Sequence, residues 1–462
     1  MKLKKIITLV CILGLTMSTA YAIQDKKTPA NEVKTEYTND VHSVFTLKDC
    51  IEVAISNSPD IRASIYNEMA FKTKIAQAWA NYFPKISAGL DFSRSGNAYT
   101  ASATRIYGYR STYTTMGYMP NISADMLLFD FGKTKASADR AKNLYNASQE
   151  DTKENINTII FDIKSAYYNI LFAQAQIKVY EDTVKDYQLR LDQAWSFYKL
   201  GKKAKVDVVT ADYNLGKAKL NLVKAKNILH VARVKLSTIM GLPEYTNYEL
   251  SDELALNSFD ITSETAIKMA MDVRPELISA QKSAQAAKMN LRASRRQFAP
   301  DLGVYGSYGN GIGNEYNLRS AKIGASLSYT ALNILKTAKQ VSQAKAEYEK
   351  SLAEFDSTKN SVYYNVKKAY LDLETNKESI IIAKLALDQA REQYRQVTGR
   401  YEAGVGDAIE LKDGENTYLN ARLDFYNAIL NYNLSFANLE KEIGTPIKFS
   451  DDLIIKLTPD EI

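Results

Sequence analysis

Apolar residues recur along much of the chain with the spacing of long helices. Over residues 156–198 they follow an unbroken spacing of three and four, which returns over 208–239 and, with one polar exception, over 362–401. Sustained spacing of this kind predicts helices that pack as left-handed coiled coils. The stretch 133–199 contains no proline. At ~1.5 Å per residue it predicts a helix about 100 Å long.

Four shorter segments alternate apolar and polar residues, which predicts β-strands. Two lie at about 85–128 and two at about 301–330, and each pair follows a proline, Pro84 or Pro300. Proline stops the preceding helix because it lacks an N–H donor and clashes with the previous turn. Strands of roughly ten residues with one apolar face are typical of outer-membrane barrels, and also of half-buried antiparallel sheets. Since little else in the chain could cover such a sheet, we favour the membrane interpretation.

The order of helix, two strands and two long helices occurs twice. The segment Asn57-Ser-Pro59-Asp-Ile61 matches Val273-Arg-Pro275-Glu-Leu277, which lies 216 residues later. Gly201 matches Gly404, which lies only 203 residues later. The smaller second offset predicts a 13-residue insertion in the first copy, between Pro84 and Gly201. A repeat of this length is a domain-sized duplication and not a solenoid of small units.

In each copy the pattern predicts a helix that starts at Phe45 or near Ser263 and continues toward the proline. Glycine turns at Gly201 and Gly404 then fold the long helices back on themselves. The predicted antiparallel hairpins cover about 132–240 and about 333–442. Each turn would lie far from the strands.

These features divide the chain into five parts. They are a secretory leader (1–22), a flexible N-terminus (23–44), a first repeat (45–262), a second repeat (263–447) and a C-terminal tail (448–462). The leader has a basic start, about a dozen apolar residues and small residues before a cleavage site at Ala22. A dozen residues cannot span roughly 30 Å of hydrocarbon, so we interpret this segment as a signal peptide.

The composition excludes several classes of protein. The net charge is +6, too near neutrality to predict binding to nucleic acid. The two histidines, His42 and His230, and the single cysteine outside the leader, Cys50, predict no metal centre and no intrachain disulfide. Cys11 follows Val10 inside the leader, so we see no lipoprotein signal.

Candidate catalytic motifs are equally sparse. The triplet Gly132-Lys-Thr134 lacks the glycine that a phosphate-binding loop has five residues earlier, where Leu127 stands. Most carboxylates fall on long helices, where solvated faces are the rule. We therefore predict a protein that is not an enzyme and binds no cofactor.

In order, duplication and spacing, these residues resemble the TolC-like outer-membrane efflux proteins, also called outer membrane factors. The resemblance covers about residues 45–447 and includes Asn57-Ser-Pro59, the helix-ending prolines and Leu128-Phe-Asp-Phe-Gly132 after the second strand. It implies an α+β membrane protein, a trimer in which each chain contributes four transmembrane strands to one twelve-stranded barrel. The helices would continue that barrel as a coiled-coil tunnel across the periplasm.

Strand pairing agrees with this expectation. Four strands have two open edges, which hydrocarbon cannot satisfy. Two chains would give eight strands, a barrel that side chains fill, whereas three chains would give twelve and leave a lumen. The strand face that is rich in serine and glycine would then line water.

The resemblance also implies functional residues at the turns between the long helices. Glu410 and Asp413 match the acidic residues that line the pore constriction, and Asp207 and Tyr401 match residues that lock the closed tip. Where the family places a basic residue, two positions after the second tip glycine, this chain has Gly406. The locking contacts are therefore expected to be rewired. Glu410 and Asp413 also have an ordinary alternative explanation, because acids at the start of a helix favour its dipole.

A duct of this kind implies a periplasmic adaptor at the tip, an inner-membrane transporter that supplies the energy, and outer-membrane lipid around the barrel. The residues predicted to form the docking tip are Gly201, Lys202, Val206, Gly404 and Ile409. The alternative function is a periplasmic coiled-coil adaptor or scaffold without a pore, which would not need four amphipathic strands. The sequence leaves the cargo open between drugs, metals, peptides and proteins.

Overall fold

The computed structural model describes residues 43–100, 110–202, 204–242, 248–250, 261–313, 317–329, 334–403 and 405–444. The predicted leader, the tail 448–462 and most of the predicted flexible N-terminus lie outside these ranges. Contacts divide the chain into a small unit, residues 1–44 and 246–249, and a large unit that contains the remainder. The described residues of the small unit belong to two short paired strands, β1 (Ser43–Phe45) and β4 (Tyr248–Leu250).

Eight α-helices make up most of the described part of the large unit. They are α1 (Leu47–Asn57), α2 (Pro59–Trp79), α3 (Lys133–Lys199), α4 (Lys205–Met240), α5 (Ser263–Val273), α6 (Pro275–Arg295), α7 (Ile334–Glu402) and α8 (Ala408–Ile443). With 67 and 69 residues, α3 and α7 are each about 100 Å long. Helices α3 and α4 form the first hairpin, and α7 and α8 form the second.

Each half of the chain begins with a broken helix, where the sequence predicted a continuous one. Ser58 separates α1 from α2, and Arg274 separates α5 from α6. Both residues precede a proline, whose ring disfavours helical backbone at the preceding position. Pro59 and Pro275 then occupy the first turn of the next helix, where a missing N–H has no cost.

Four antiparallel strands form the main sheet, in the order β2 (Lys85–Thr100), β3 (Arg110–Phe129), β5 (Asp301–Gly313) and β6 (Asn317–Ser328). Pro84 and Pro300 each lie between a 3-10 turn and the first strand of a pair. The first pair is longer, with 16 and 20 residues against 13 and 12. Pairing of β3 with β5 ends at Gly117 and Gly313, beyond which the β2–β3 ribbon extends further.

The sheet has one apolar and one polar face, as the alternation predicts. The register aligns Ile86 with Ala124, Ala124 with Gly306, and Gly306 with Ile323 across the four strands. On the other face serines and glycines predominate, with Lys85 directly opposite Asp125. The apolar face is not a core: Ile86 is 71% exposed and Ile323 is 94% exposed.

The core of the large unit lies instead between helices, at the positions that the spacing predicts. The buried stripe of α7 consists of Val362, Val366, Ala369, Leu373, Ile380, Leu387, Ala390 and Val397. From Val362 to Leu387 it packs in one cluster with apolar residues of α8, among them Phe425, Ile429 and Leu439. The two alanines of the stripe let the helices approach closely, which suits coiled-coil packing.

A buried carboxylate joins the strands to the first long helix. Asp130 is fully buried and accepts hydrogen bonds from the Tyr82 hydroxyl (2.6 Å) and from the backbone N–H groups of Gly132 (3.0 Å) and Thr134 (2.6 Å). It thereby satisfies donors at the start of α3 that have no partner within the helix. Burial alone would raise the pKa of Asp130, but these hydrogen bonds outweigh it and the pKa lies below its usual value.

Candidate gate and docking tip

The turn of the first hairpin is built by a left-handed glycine. Gly201 has a φ of +70°, and its N–H donates to the carbonyl of Tyr198 at 3.0 Å, which ends α3. Asp207 lies in the first turn of α4, where its carboxylate accepts the backbone N–H of Ala204 at 3.2 Å. The carboxylate predicted to lock the tip therefore also stabilises the start of its own helix.

The turn of the second hairpin is built differently. Gly404, one of the predicted docking residues, lies outside the described residues. At Gly406, a Cβ atom would lie 2.7 Å from the backbone nitrogen of Tyr401 and 2.9 Å from the carbonyl carbon of Arg400. Any side chain here would have to displace backbone. The absence of a basic residue at this position thus has a steric reason.

The two predicted pore acids have unequal surroundings. Glu410 accepts from Arg400 at 2.7 Å, in a pair that is about half exposed. Asp413 is exposed. Arg400, which the sequence analysis did not single out, sits ten positions before Glu410 across the turn, in the same hairpin. The pair therefore closes the second hairpin and does not connect it to the first.

Asp207 and Tyr401, by contrast, line a common cavity of about 120 Å³ between the two hairpins. Arg190, Glu415 and Tyr187 line the same cavity, whereas Glu410 and Asp413 do not. The structure thus brings together the two residues predicted to lock the tip.

Beside this cavity lies a buried polar cluster that the sequence analysis missed. The guanidinium of Arg190 on α3 contacts the carboxylate of Glu415 on α8 and donates to the Tyr394 hydroxyl on α7 at 2.9 Å. Burial raises the pKa of Glu415, against the opposing effect of Arg190. Burial also raises the pKa of Tyr187, which hydrogen-bonds to Glu415. Although burial alone would lower it, the charge of Glu415 raises the pKa of Arg190.

A second ion pair of the reverse polarity extends the cluster. Arg422 on α8 donates to Asp182 on α3 at 3.2 Å. Its guanidinium lies 5.7 Å from the ring of Tyr418, which stacks on Tyr394 with centroids 5.4 Å apart. Tyr187 and Tyr394 are part of the apolar stripes that the spacing predicts, whereas Tyr418 and the charged members lacked a signal in the sequence.

Both turns expose apolar side chains at their outermost surface, and the first turn also exposes lysines. Val206 and Ile409, both predicted docking residues, are exposed, and so is Lys202. Leu200 and Val405 are exposed beside them and were not predicted. Large apolar side chains at the extreme end of a long hairpin are unusual for a surface that only meets water.

The described residues offer few candidates for other kinds of site. No group of three or more histidine, cysteine, aspartate or glutamate side chains is arranged to hold a metal ion there. None of the helices in the described ranges is both long and apolar enough to cross a membrane.

The family model for outer membrane efflux proteins matches residues 50–242 and 266–445. The chain belongs to this family. The two matched segments correspond closely to the two halves of the fold, each with its broken helix, strand pair and long hairpin.

The relatives of this protein are distant in sequence, but the similarity covers most of both chains. It is 23% identical over 408 residues to the alkaline protease secretion protein AprF of Pseudomonas aeruginosa, with 86% of this chain and 84% of AprF covered. It is 22% identical over 413 residues to the outer membrane protein TolC of Escherichia coli, with 84% and 80% covered. The crystal structure of the Campylobacter jejuni CmeC outer membrane channel has a similar fold, with a TM-score of 0.74, 17% identity, and 86% and 85% of the two chains covered.

Proposed function

We propose that this protein is a passive exit duct in the outer membrane, through which an inner-membrane transporter and a periplasmic adaptor export their cargo. Family membership supports an outer-membrane location and an export function. One relative is named for protease secretion and the family for efflux, so both a type I secretion system and a tripartite efflux pump fit the proposal. No catalytic step is required, because the gate works by moving helices.

The four-stranded sheet carries this proposal. Its apolar face is exposed over its whole width and its opposite face is small and polar, the arrangement expected of a wall between lipid and water. In the described residues, the outer edges of β2 and β6 have no strand partner. Three copies would pair β6 of one chain with β2 of the next and close twelve strands around a lumen.

A second apolar stripe on α4 supports the trimer. One stripe, with Val208, Leu215 and Ala225, packs within the chain. The other consists of Val206, Val209, Tyr213, Leu220, Val223, Val231 and Val234, all exposed in the single chain. The intervals between these residues are three, four, seven or eight, so they share one face of the helix, as the residues of a coiled-coil seam do. We assign this seam to the neighbouring subunit, so that the helices form a closed periplasmic tunnel.

Internal duplication is part of the proposal. Gly241 ends α4 against the backbone of Asn57, at the break between α1 and α2. Gly444 ends α8 against Arg274 and Pro275, at the break between α5 and α6. Both glycines have a positive φ and both contact the break of their own half. Two copies of one ancestral unit account for this match.

The trimer can be tested by the mass of the purified protein, measured by light scattering with the detergent subtracted. We expect three chains per particle. Ile323→Asp, on the exposed apolar face, should abolish stable insertion, whereas Ser307→Asp, on the polar face, should be tolerated. A soluble wild-type monomer would contradict the barrel. The alternative, a periplasmic adaptor without a pore, predicts such a monomer but does not explain the exposed apolar face of the sheet.

We place the constriction at Glu410 and Asp413 and adaptor docking at the exposed turns. Three chains would bring six carboxylates into two rings, which favour cations. Replacing both residues by alanine should lower the cation preference, measured as the reversal potential in a salt gradient. Unchanged reversal potentials would show that these acids only favour the helix dipole. For docking, Val206→Asp and Ile409→Asp should reduce both adaptor cross-linking and export.

A further inference from the structure

Within each chain, the charged contacts nearest the tip differ in what they connect. The Arg400–Glu410 pair joins α7 to α8 inside the second hairpin, and Asp207 accepts from its own helix. Arg190 instead connects the first hairpin to both helices of the second, through Glu415 on α8 and the Tyr394 hydroxyl on α7. It lies eleven residues before Gly201, about 16 Å from the turn along the helix.

We infer that Arg190, with Glu415 and Tyr394, is the latch that holds the two hairpins of each subunit together when the tip is closed. The inference rests on the proposed function, a duct gated at its tip. Opening would separate the second hairpin from the first, and this triad spans that division. Arg190 acts as a positioning residue: it determines where the gate-bearing hairpin lies and does not itself meet the cargo.

Burial gives the latch its strength. The side chains of Arg190 and Glu415 are 19% and 12% exposed, against 56% and 40% for Arg400 and Glu410. Removing one member of a buried pair leaves the other charge without compensation, whereas an exposed pair contributes little because water solvates both charges. The closed arrangement therefore depends on the buried pair and hardly on the exposed one.

The reversed pair fixes the register of the latch. Asp182 and Arg422 connect α3 to α8 two helical turns above Arg190 and Glu415, with the acid and the base exchanged between helices. A slip of α8 along α3 would bring like charges together, and like charges repel. The hairpins thus separate as units and do not slide.

A third bridge anchors the far end of the hairpins. Lys164 on α3 and Glu440 on α8 form a buried ion pair 26 residues before Arg190, about 40 Å along the helix. With this end held, release of Arg190 frees the tip-proximal part of the second hairpin. Of these three ion pairs between the hairpins, that of Arg190 lies nearest the tip, and its loss is the one that opens the duct.

Conductance in planar bilayers tests the latch. Arg190→Gln and Glu415→Gln should each raise the time-averaged conductance of trimers of unchanged mass by about fivefold or more, because a closed state that depends on a buried pair loses it. The exchange variant R190E/E415R restores opposite charges and should return toward wild type. Lys226→Gln is the matched control, because Lys226 forms an exposed ion pair with Glu181 within the first hairpin, and it should change conductance by less than about twofold.

If Arg190→Gln fails to assemble, Tyr394→Phe removes only the hydroxyl and should raise conductance in the same direction by roughly twofold. Conductances of Arg190→Gln and Glu415→Gln equal to that of Lys226→Gln would overturn the latch, as would an exchange variant no closer to wild type than the single variants. Wild-type trimers without any conductance would contradict the duct itself, which separates the two failures.

Discussion

The two ends of the long helices differ in how deeply their charged side chains are buried. At the strand end, Asp130 is fully buried and accepts three hydrogen bonds. At the turn end, the Arg400–Glu410 pair is about half exposed. A buried, saturated joint fixes geometry, whereas exposed pairs exchange readily with water. We infer from this difference that the strand end keeps its geometry, whereas the turn end can rearrange.

The largest effect is expected at the buried joint. Asp130→Ala leaves the Tyr82 hydroxyl and the N–H groups of Gly132 and Thr134 without their acceptor, which should lower the free energy of unfolding by about 3 kcal/mol. Denaturant unfolding of the purified protein measures this. Asp388→Ala, an exposed carboxylate on α7, is the control and should stay within about 0.5 kcal/mol of wild type.

Acid should weaken the same joint by a smaller amount. The pKa of Asp130 in the folded protein lies below its value in the unfolded chain, so its contribution is complete above about pH 4. That contribution is lost as the pH falls through the folded pKa, because the unfolded chain then binds the proton more tightly. Unfolding followed between pH 6 and 3 should show a steeper decline for the wild type than for Asp130→Asn. Equal slopes in both proteins would exclude Asp130 as the source.

An intermediate effect is expected at the second turn. Gly406→Arg restores a basic residue but forces its Cβ against the backbone of Tyr401, which should cost about 1–3 kcal/mol. Gly399→Ala provides the matched control, because nothing lies within 4 Å of its Cβ position and helical alanine is favoured by about 1 kcal/mol. If Gly406→Arg proves as stable as wild type, steric exclusion does not explain the missing basic residue.

The smallest effect is expected at the exposed pair of the tip. Arg400→Gln removes the partner of Glu410 and should lower the free energy of unfolding by less than about 1 kcal/mol, since water screens both charges. High salt should remove even this difference. A loss as large as that of Asp130→Ala would abolish the contrast between the two ends.

The sequence predicted the elements of this fold better than their charged contacts. The spacing of apolar residues alone identifies the buried stripe of α7 that includes Val362 and Leu387. A helix that packs on one side must repeat its apolar residues at the helical period. Glycine marked the two hairpin turns and Pro84 and Pro300 the helix ends, because both residues restrict the local backbone, whereas the breaks before Pro59 and Pro275 were not predicted. The pairing of Arg190 with Glu415 joins residues 225 positions apart, and no local pattern specifies which arginine among many meets which glutamate. The resemblance identified Asp207 and Tyr401 but not the cluster beside them.

Single-channel conductance of the purified wild-type trimer tests the central proposal most directly. If the uncovered sheets close around a lumen and the helices continue it, insertion into a planar bilayer should give discrete, uniform conductance steps that favour cations. Glu410→Ala with Asp413→Ala should retain the steps and lose that preference. Trimers that enter the bilayer and give no steps at any voltage would contradict the duct.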